Sequence, residues 1–119
     1  MAYCLIDSKK FAHNIKIISE HIGLDKIAFV VKNNAYGHGL IEMSELAQKN
    51  KIKNAVVINI GEANRIKKYF ESVLVLSGIP NDCPSENIYI AINDIDDIAK
   101  MPPNTQVELG GILAISSIS

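Results

Sequence analysis

The residues best suited to chemistry lie together in Val30-Val31-Lys32-Asn33-Asn34-Ala35-Tyr36-Gly37-His38-Gly39. Lys32 ends the apolar run Ile27-Ala28-Phe29-Val30-Val31, where a buried strand gives way to a loop. An ammonium at such a place either carries a desolvation cost or reacts, because a low dielectric favours the neutral amine that attacks a carbonyl. The plain alternative is a lysine that lays its methylenes along the strand end and keeps its charge in water. Tyr36 brings a phenol back within four residues of that amine. Gly37 and Gly39 allow the positive φ or close backbone approach that a tight turn requires.

The decapeptide closely resembles the cofactor-lysine segment of alanine racemases, pyridoxal-phosphate enzymes that interconvert L- and D-alanine. In that family the lysine forms an internal Schiff base with pyridoxal 5'-phosphate, and the tyrosine four positions later bonds the cofactor phosphate. The resemblance therefore implies Lys32 as catalytic and cofactor-binding residue and Tyr36 as cofactor-binding residue, with pyridoxal 5'-phosphate as cofactor and alanine as substrate. It further implies a cytoplasmic isomerase that supplies D-alanine for peptidoglycan synthesis and acts as a homodimer. Asn33 departs from the small alanine more common in relatives and touches neither proposed role.

The resemblance extends as element order over residues 1–109, expected to be a partial racemase N-terminal barrel domain. After Gln106-Val107-Glu108-Leu109, relatives continue with a lysine, an Asp-Thr-Gly-Met segment and an arginine near the cofactor ring. Here the sequence reads Gly110-Gly111-Ile112-Leu113-Ala114-Ile115-Ser116-Ser117-Ile118-Ser119. Residues 110–119 are accordingly expected to be a non-matching tail, as a frameshift would leave. In the family the second base is a tyrosine from the partner subunit's C-terminal domain, and none of Tyr3, Tyr69 or Tyr89 matches it. A truncated chain, weakly active or inactive alone, is the expectation. The alternatives are a non-catalytic pyridoxal-phosphate-binding barrel protein, an inactive gene remnant, and a half that needs its missing remainder.

Alternating elements would position the lysine. Residues 3–6 read as a short strand. Asp7 or Ser8 caps a helix with Phe11, Ile15, Ile18 and Ile22 on one face, and Gly23 ends it. Strands are expected at residues 27–31, 55–58, 73–76, 88–92 and 106–109. Helices are expected at residues 40–49 and 62–70, with a short one at 94–100 before Pro102-Pro103. Continuous apolar strands argue for a sheet covered on both faces. Strands taking turns with helices argue for parallel βαβ units, in a TIM barrel or a doubly wound sheet. Periodicity does not choose between these two. The resemblance implies the α/β TIM-barrel type, truncated to about five parallel strands, against the eight that close a barrel of about 250 residues. Such an arc leaves two sheet edges and apolar faces uncovered, so weak stability or self-association is expected.

Composition narrows the partners. The 119 residues are 48% hydrophobic with a net charge of -1, enough for one core and no electrostatic case for nucleic acid. The basic stretches Lys49-Asn50-Lys51-Ile52-Lys53 and Arg65-Ile66-Lys67-Lys68 are broken by apolar residues and read as helix ends. No apolar run reaches the roughly 20 residues of a membrane helix, and no secretion signal opens the chain. Cys4 and Cys83 are far apart and fit a reducing compartment, and His13, His21 and His38 form no metal-ligand spacing. No glycine-rich dinucleotide or P-loop fingerprint is present. Gly61 and Gly78 read as structural turn glycines.

Overall fold

A computed structural model describes residues 8–23, 27–30 and 38–109. The expected strand at residues 3–6, Lys32 and Tyr36, and the 110–119 tail lie outside the described residues. The elements run α1 (Ser8–Ile22), β1 (Ala28–Val30), α2 (His38–Lys49), β2 (Asn54–Val57), α3 (Ile60–Ile66), β3 (Ser72–Val75), β4 (Ile88–Ile92) and β5 (Gln106–Leu109). One turn of 3-10 helix, Lys67–Tyr69, continues α3, and another, Ile95–Lys100, joins β4 to β5.

Five parallel strands form one sheet in the order β1-β2-β3-β4-β5. Each strand pairs with its neighbour in sequence, and the order never reverses. A doubly wound sheet requires such a reversal at its switch point. Barrel-type winding is therefore the architecture, and the choice that periodicity left open is made by strand order.

Register explains where the core lies. Phe29 pairs with Ala55, Ala55 with Val73, and Val73 with Ile88, while Val57 pairs with Val75 and Val75 with Ile90. These residues share one face of the pleat. Val57, Val73, Val75, Ile88 and Ile90 are fully buried, packed in one cluster with Leu40 and Ala47 of α2 and Ala63 and Ile66 of α3. Ala28, Val30, Val56, Leu74, Tyr89 and Gln106 take the alternate face, where β2 and β3 side chains are only half-buried and Val30 is 51% exposed. The expectation of two covered faces thus holds for one. The helices lie on a single side, and the other side is the one a barrel turns inward.

Helix ends are set by local chemistry. Gly23 adopts φ +86 and its N–H donates to Ser19 O at 2.9 Å, stopping α1 as expected. Of the predicted α1 stripe, Ile15 packs on the core, but Ile18 and Ile22 are exposed; the side chain of Phe11 lies outside the description. α2 ends in a Schellman motif, with Ile52 N–H on Ala47 O and Lys51 N–H on Gln48 O. Lys51 sits at φ 63, where glycine is the usual occupant. The helix expected to run from residue 62 to 70 instead starts at Ile60 and tightens after Ile66. The cause is distant: the Asn87 side-chain amide donates to Lys67 O and Phe70 O, and Asn87 O accepts from Val73 N–H. Phe70 leaves the helix extended and stacks on Phe29, ring centroids 6.1 Å apart.

Three substitutions test this frame by urea unfolding. Ile90→Ala opens a cavity in the fully buried row and is expected to cost about 2–5 kcal/mol, whereas Leu76→Ala on the exposed face costs about 1 kcal/mol or less. Lys51→Gly is expected to stabilise by about 0.5–1 kcal/mol by relieving the left-handed backbone.

Candidate functional site

Because all five strands are parallel, their C-terminal ends share one edge of the sheet, the edge that carries sites in barrel proteins. Residues 31–37 fall in sequence between β1, which ends at this edge, and α2, and the described residues on either side are anchored. Val30 pairs with Val56. On the other side, Leu40 is fully buried in the first turns of α2, and buried Ser44 donates its hydroxyl to Leu40 O at 2.8 Å. Lys32 and Tyr36, the two residues singled out from sequence, and Gly37 fall within this connection and outside the described residues. Gly39 differs from expectation. It lies inside α2 without a positive φ, and a Cβ there would meet nothing within 4 Å, so the turn role assigned to it does not apply.

The neighbouring strand end is the best-braced part of the rim. Asn59 caps α3, its side-chain oxygen accepting from Glu62 N–H at 2.9 Å. The Glu62 carboxylate reaches back to accept from Ile58 N–H at 3.0 Å and Asn59 N–H at 3.3 Å. Glu62 is only 4% exposed, so these bonds replace water on a carboxylate that burial would otherwise penalise. Gly61 leaves room for the cap, since a Cβ would stand 3.3 Å from the capping oxygen of Asn59 and press it back by a few tenths of an ångström. Past β3, Leu76 N–H donates to Val57 O and Ser77 N–H to Ile58 O, extending the ladder to the rim. Sequence reading placed the start of this helix at Glu62 and so missed the Asn59-x-x-Glu62 capping box, whose spacing was the available signal.

Further along the rim, a cleft of about 330 Å³ opens between the ends of β3 and β4, lined by Leu76, Ser77, Gly78, Ile79, Ala91, Asn93, Asp97 and Met101. Its polar side chains are a hydroxyl, an amide and a carboxylate, the last with Lys100 Nζ at 4.0 Å. Among the described residues no lysine or arginine lines it, so those residues alone do not suit a phosphate dianion. The two expected site residues, a primary amine and a phenol, do match an aldehyde and a phosphate in their chemistry.

Of the two described tyrosines, Tyr69 packs against the core. Tyr69 O–H donates to Glu45 at 3.4 Å, with Lys68 Nζ 5.1 Å from the ring centre, beside the α2–β2 loop and away from the rim. Tyr89 lies on the open face three strands from β1, roughly 14 Å at the usual strand spacing. Among the described residues no group of histidine, cysteine, aspartate and glutamate could hold a metal ion, and no helix is long and apolar enough to cross a membrane.

Comparison with known proteins adds a family to this geometry. The family described as alanine racemase, N-terminal domain, matches residues 6–108. An alanine racemase of a Nitratiruptor species is 38% identical over 110 residues, covering 92% of this chain and 32% of that protein. One of Campylobacter concisus is 38% identical over 105 residues, covering 87% of this chain and 31% of its own length. One of Campylobacter jejuni subsp. jejuni is 31% identical over 110 residues, with coverage of 92% and 34%. The chain thus spans about a third of the length of the curated relatives it matches. No solved structure gives a significant match.

The rim's bracing can be measured. Glu62→Ala strips the partner from two backbone N–H groups and is expected to cost about 1–3 kcal/mol, while Asn59→Ala costs about 1 kcal/mol, both read from denaturant midpoints.

Proposed function

Since this chain belongs to the alanine racemase N-terminal domain family, we propose that it holds pyridoxal 5'-phosphate beside the C-terminal end of β1 and contributes that part of an alanine racemase site. Lys32 is the residue that joins the cofactor aldehyde, and Tyr36 donates its phenol O–H to the cofactor phosphate. The observation that carries this reading is the juncture at which the motif falls: directly after a parallel strand, directly before a helix, on the edge of the sheet where barrel sites are built. Strand alternation supports it. Positions 28 and 30 at the end of β1 belong to the face without helices, the one a barrel turns inward. The first-turn N–H groups of α2, which no earlier turn can satisfy, add a favourable end for an anion.

Bound pyridoxal phosphate supplies a conjugated electron sink that makes the Cα proton of an amino acid removable. The part played by this chain is positional and basic. Tyr36 holds the phosphate end, and Lys32 Nζ takes or returns the Cα proton on one face of the substrate. Racemisation needs a second group on the opposite face, and neither Tyr69 nor Tyr89 stands where it could serve. The reading is therefore a cytoplasmic isomerase of alanine, serving D-alanine supply to the cell wall, whose second base comes from a partner subunit. The 119 residues alone bind the cofactor and turn over weakly or not at all. Residues 1–109 form the barrel segment in this reading, with 110–119 outside the family pattern.

Incubation with pyridoxal phosphate, borohydride reduction and peptide mass mapping test it. A single adduct on Lys32, lost in Lys32→Ala, is expected; scattered adducts or none would overturn the proposal. Tyr36→Phe should keep the adduct but weaken cofactor retention roughly 10- to 100-fold, as expected for a bond to a charged group of about 1.5–3 kcal/mol. Alanine racemisation assayed with and without the remaining portion of a relative separates a binder from an enzyme half.

A further inference from the structure

A cleft beside α3 holds two opposite charges that no ion pair uses, and we propose that it binds a free amino acid with an apolar side chain, in its zwitterionic form. α2 and α3 make the crossovers between the first three strands, but residues 76–87 join β3 to β4 without a helix. Between α3 and that connection lies a cleft of about 310 Å³, at the lower end of the range for small-molecule sites. Ile60, Asn64 and Lys67 form one wall and residues 80–85 the other, all within a stretch described without a gap.

Lys67 Nζ donates to Ser85 Oγ at 2.8 Å, a neutral hydroxyl rather than a carboxylate. That bond leaves two ammonium N–H groups and the serine O–H with hydrogens to give. Both walls are held in advance of a ligand. The Asn87 amide donates to Lys67 O and fixes the 3-10 turn, while Pro80 and Pro84 restrict the facing segment. Lys67 and Asp82 are the two charged residues of the lining, and neither forms an ion pair among the described residues. A simple anion would meet the Asp82 carboxylate, and a simple cation the Lys67 ammonium. A molecule carrying both charges suits both walls: its carboxylate accepts from Lys67 and Ser85, and its ammonium donates to Asp82. Ile60, Pro80 and Pro84 offer apolar surface to its side chain. The proposal uses neither Lys32 nor Tyr36 and goes beyond the cofactor reading above.

Amide NMR of the full chain, titrated with L-leucine at neutral pH, tests it. Saturable shifts at Asn64, Lys67 and Ser85 are expected. Leucinamide keeps the ammonium and side chain, and 4-methylpentanoate keeps the carboxylate and side chain; each should bind roughly tenfold more weakly than leucine, or worse. Lys67→Gln should weaken leucine by a similar factor without weakening leucinamide, and Asp82→Asn should weaken leucine without weakening 4-methylpentanoate. Lys32→Ala should bind leucine as the unaltered chain does, which separates this site from the cofactor site. Absence of saturable shifts at the cleft, equal binding of the three ligands, or indifference of leucine to both cleft substitutions would overturn the proposal. Circular dichroism checks that each variant folds, and the ligand series on the unaltered chain decides the matter if one does not.

Discussion

Parallel pairing between strands adjacent in sequence is the constraint from which the other features follow. It demands a crossover after every strand, and the described helices α2 and α3 pack on one side, so one pleat face is buried and the other is left open. The buried side is close-packed with β-branched residues whose stiff side chains suit a strand: Val57, Val73, Val75, Ile88 and Ile90. The same constraint gathers the strand C-termini at one rim. The β1–α2 connection, the capped start of α3 and the β3–β4 cleft are there because of direction, whatever their own side chains do.

The rim is unevenly braced. At β2 a buried carboxylate satisfies two backbone N–H groups, and the ladder between β2 and β3 runs two residues beyond the strand proper. This bracing stands at the end of β2, the strand paired with β1. Membership of the racemase N-terminal domain family and the open, helix-free face agree with each other, since a barrel turns that face toward its interior.

Much of this was legible from residue order alone, because the signals were local. The strand positions follow from short apolar runs, and Gly23 and Pro102-Pro103 punctuate helices by their own backbone preferences. What was hidden was non-local. Lys67-Lys68-Tyr69 looks helical, and only Asn87, up to 20 residues away, takes the carbonyls that tighten it into a 3-10 turn. Strand order is likewise a property of pairing between distant segments, so periodicity found the strands without finding the winding. In the site, Lys32 and Tyr36 stood out as residue types at a telling spacing, while the Asn59-Glu62 box escaped notice because Glu62 reads equally well as an ordinary first helical residue. Gly39 shows the reverse error: a glycine near a motif invites a turn role that a helical backbone does not require.

β3 is held by ladders on both sides, whereas β1 is held on one side among the described residues. Amide hydrogen exchange should therefore be slowest in the middle of the sheet and quicken toward the strand that precedes Lys32. Local opening at that margin can proceed without global unfolding. A ligand captured there would act as a clasp, slowing exchange first in the strand that is otherwise quickest to open.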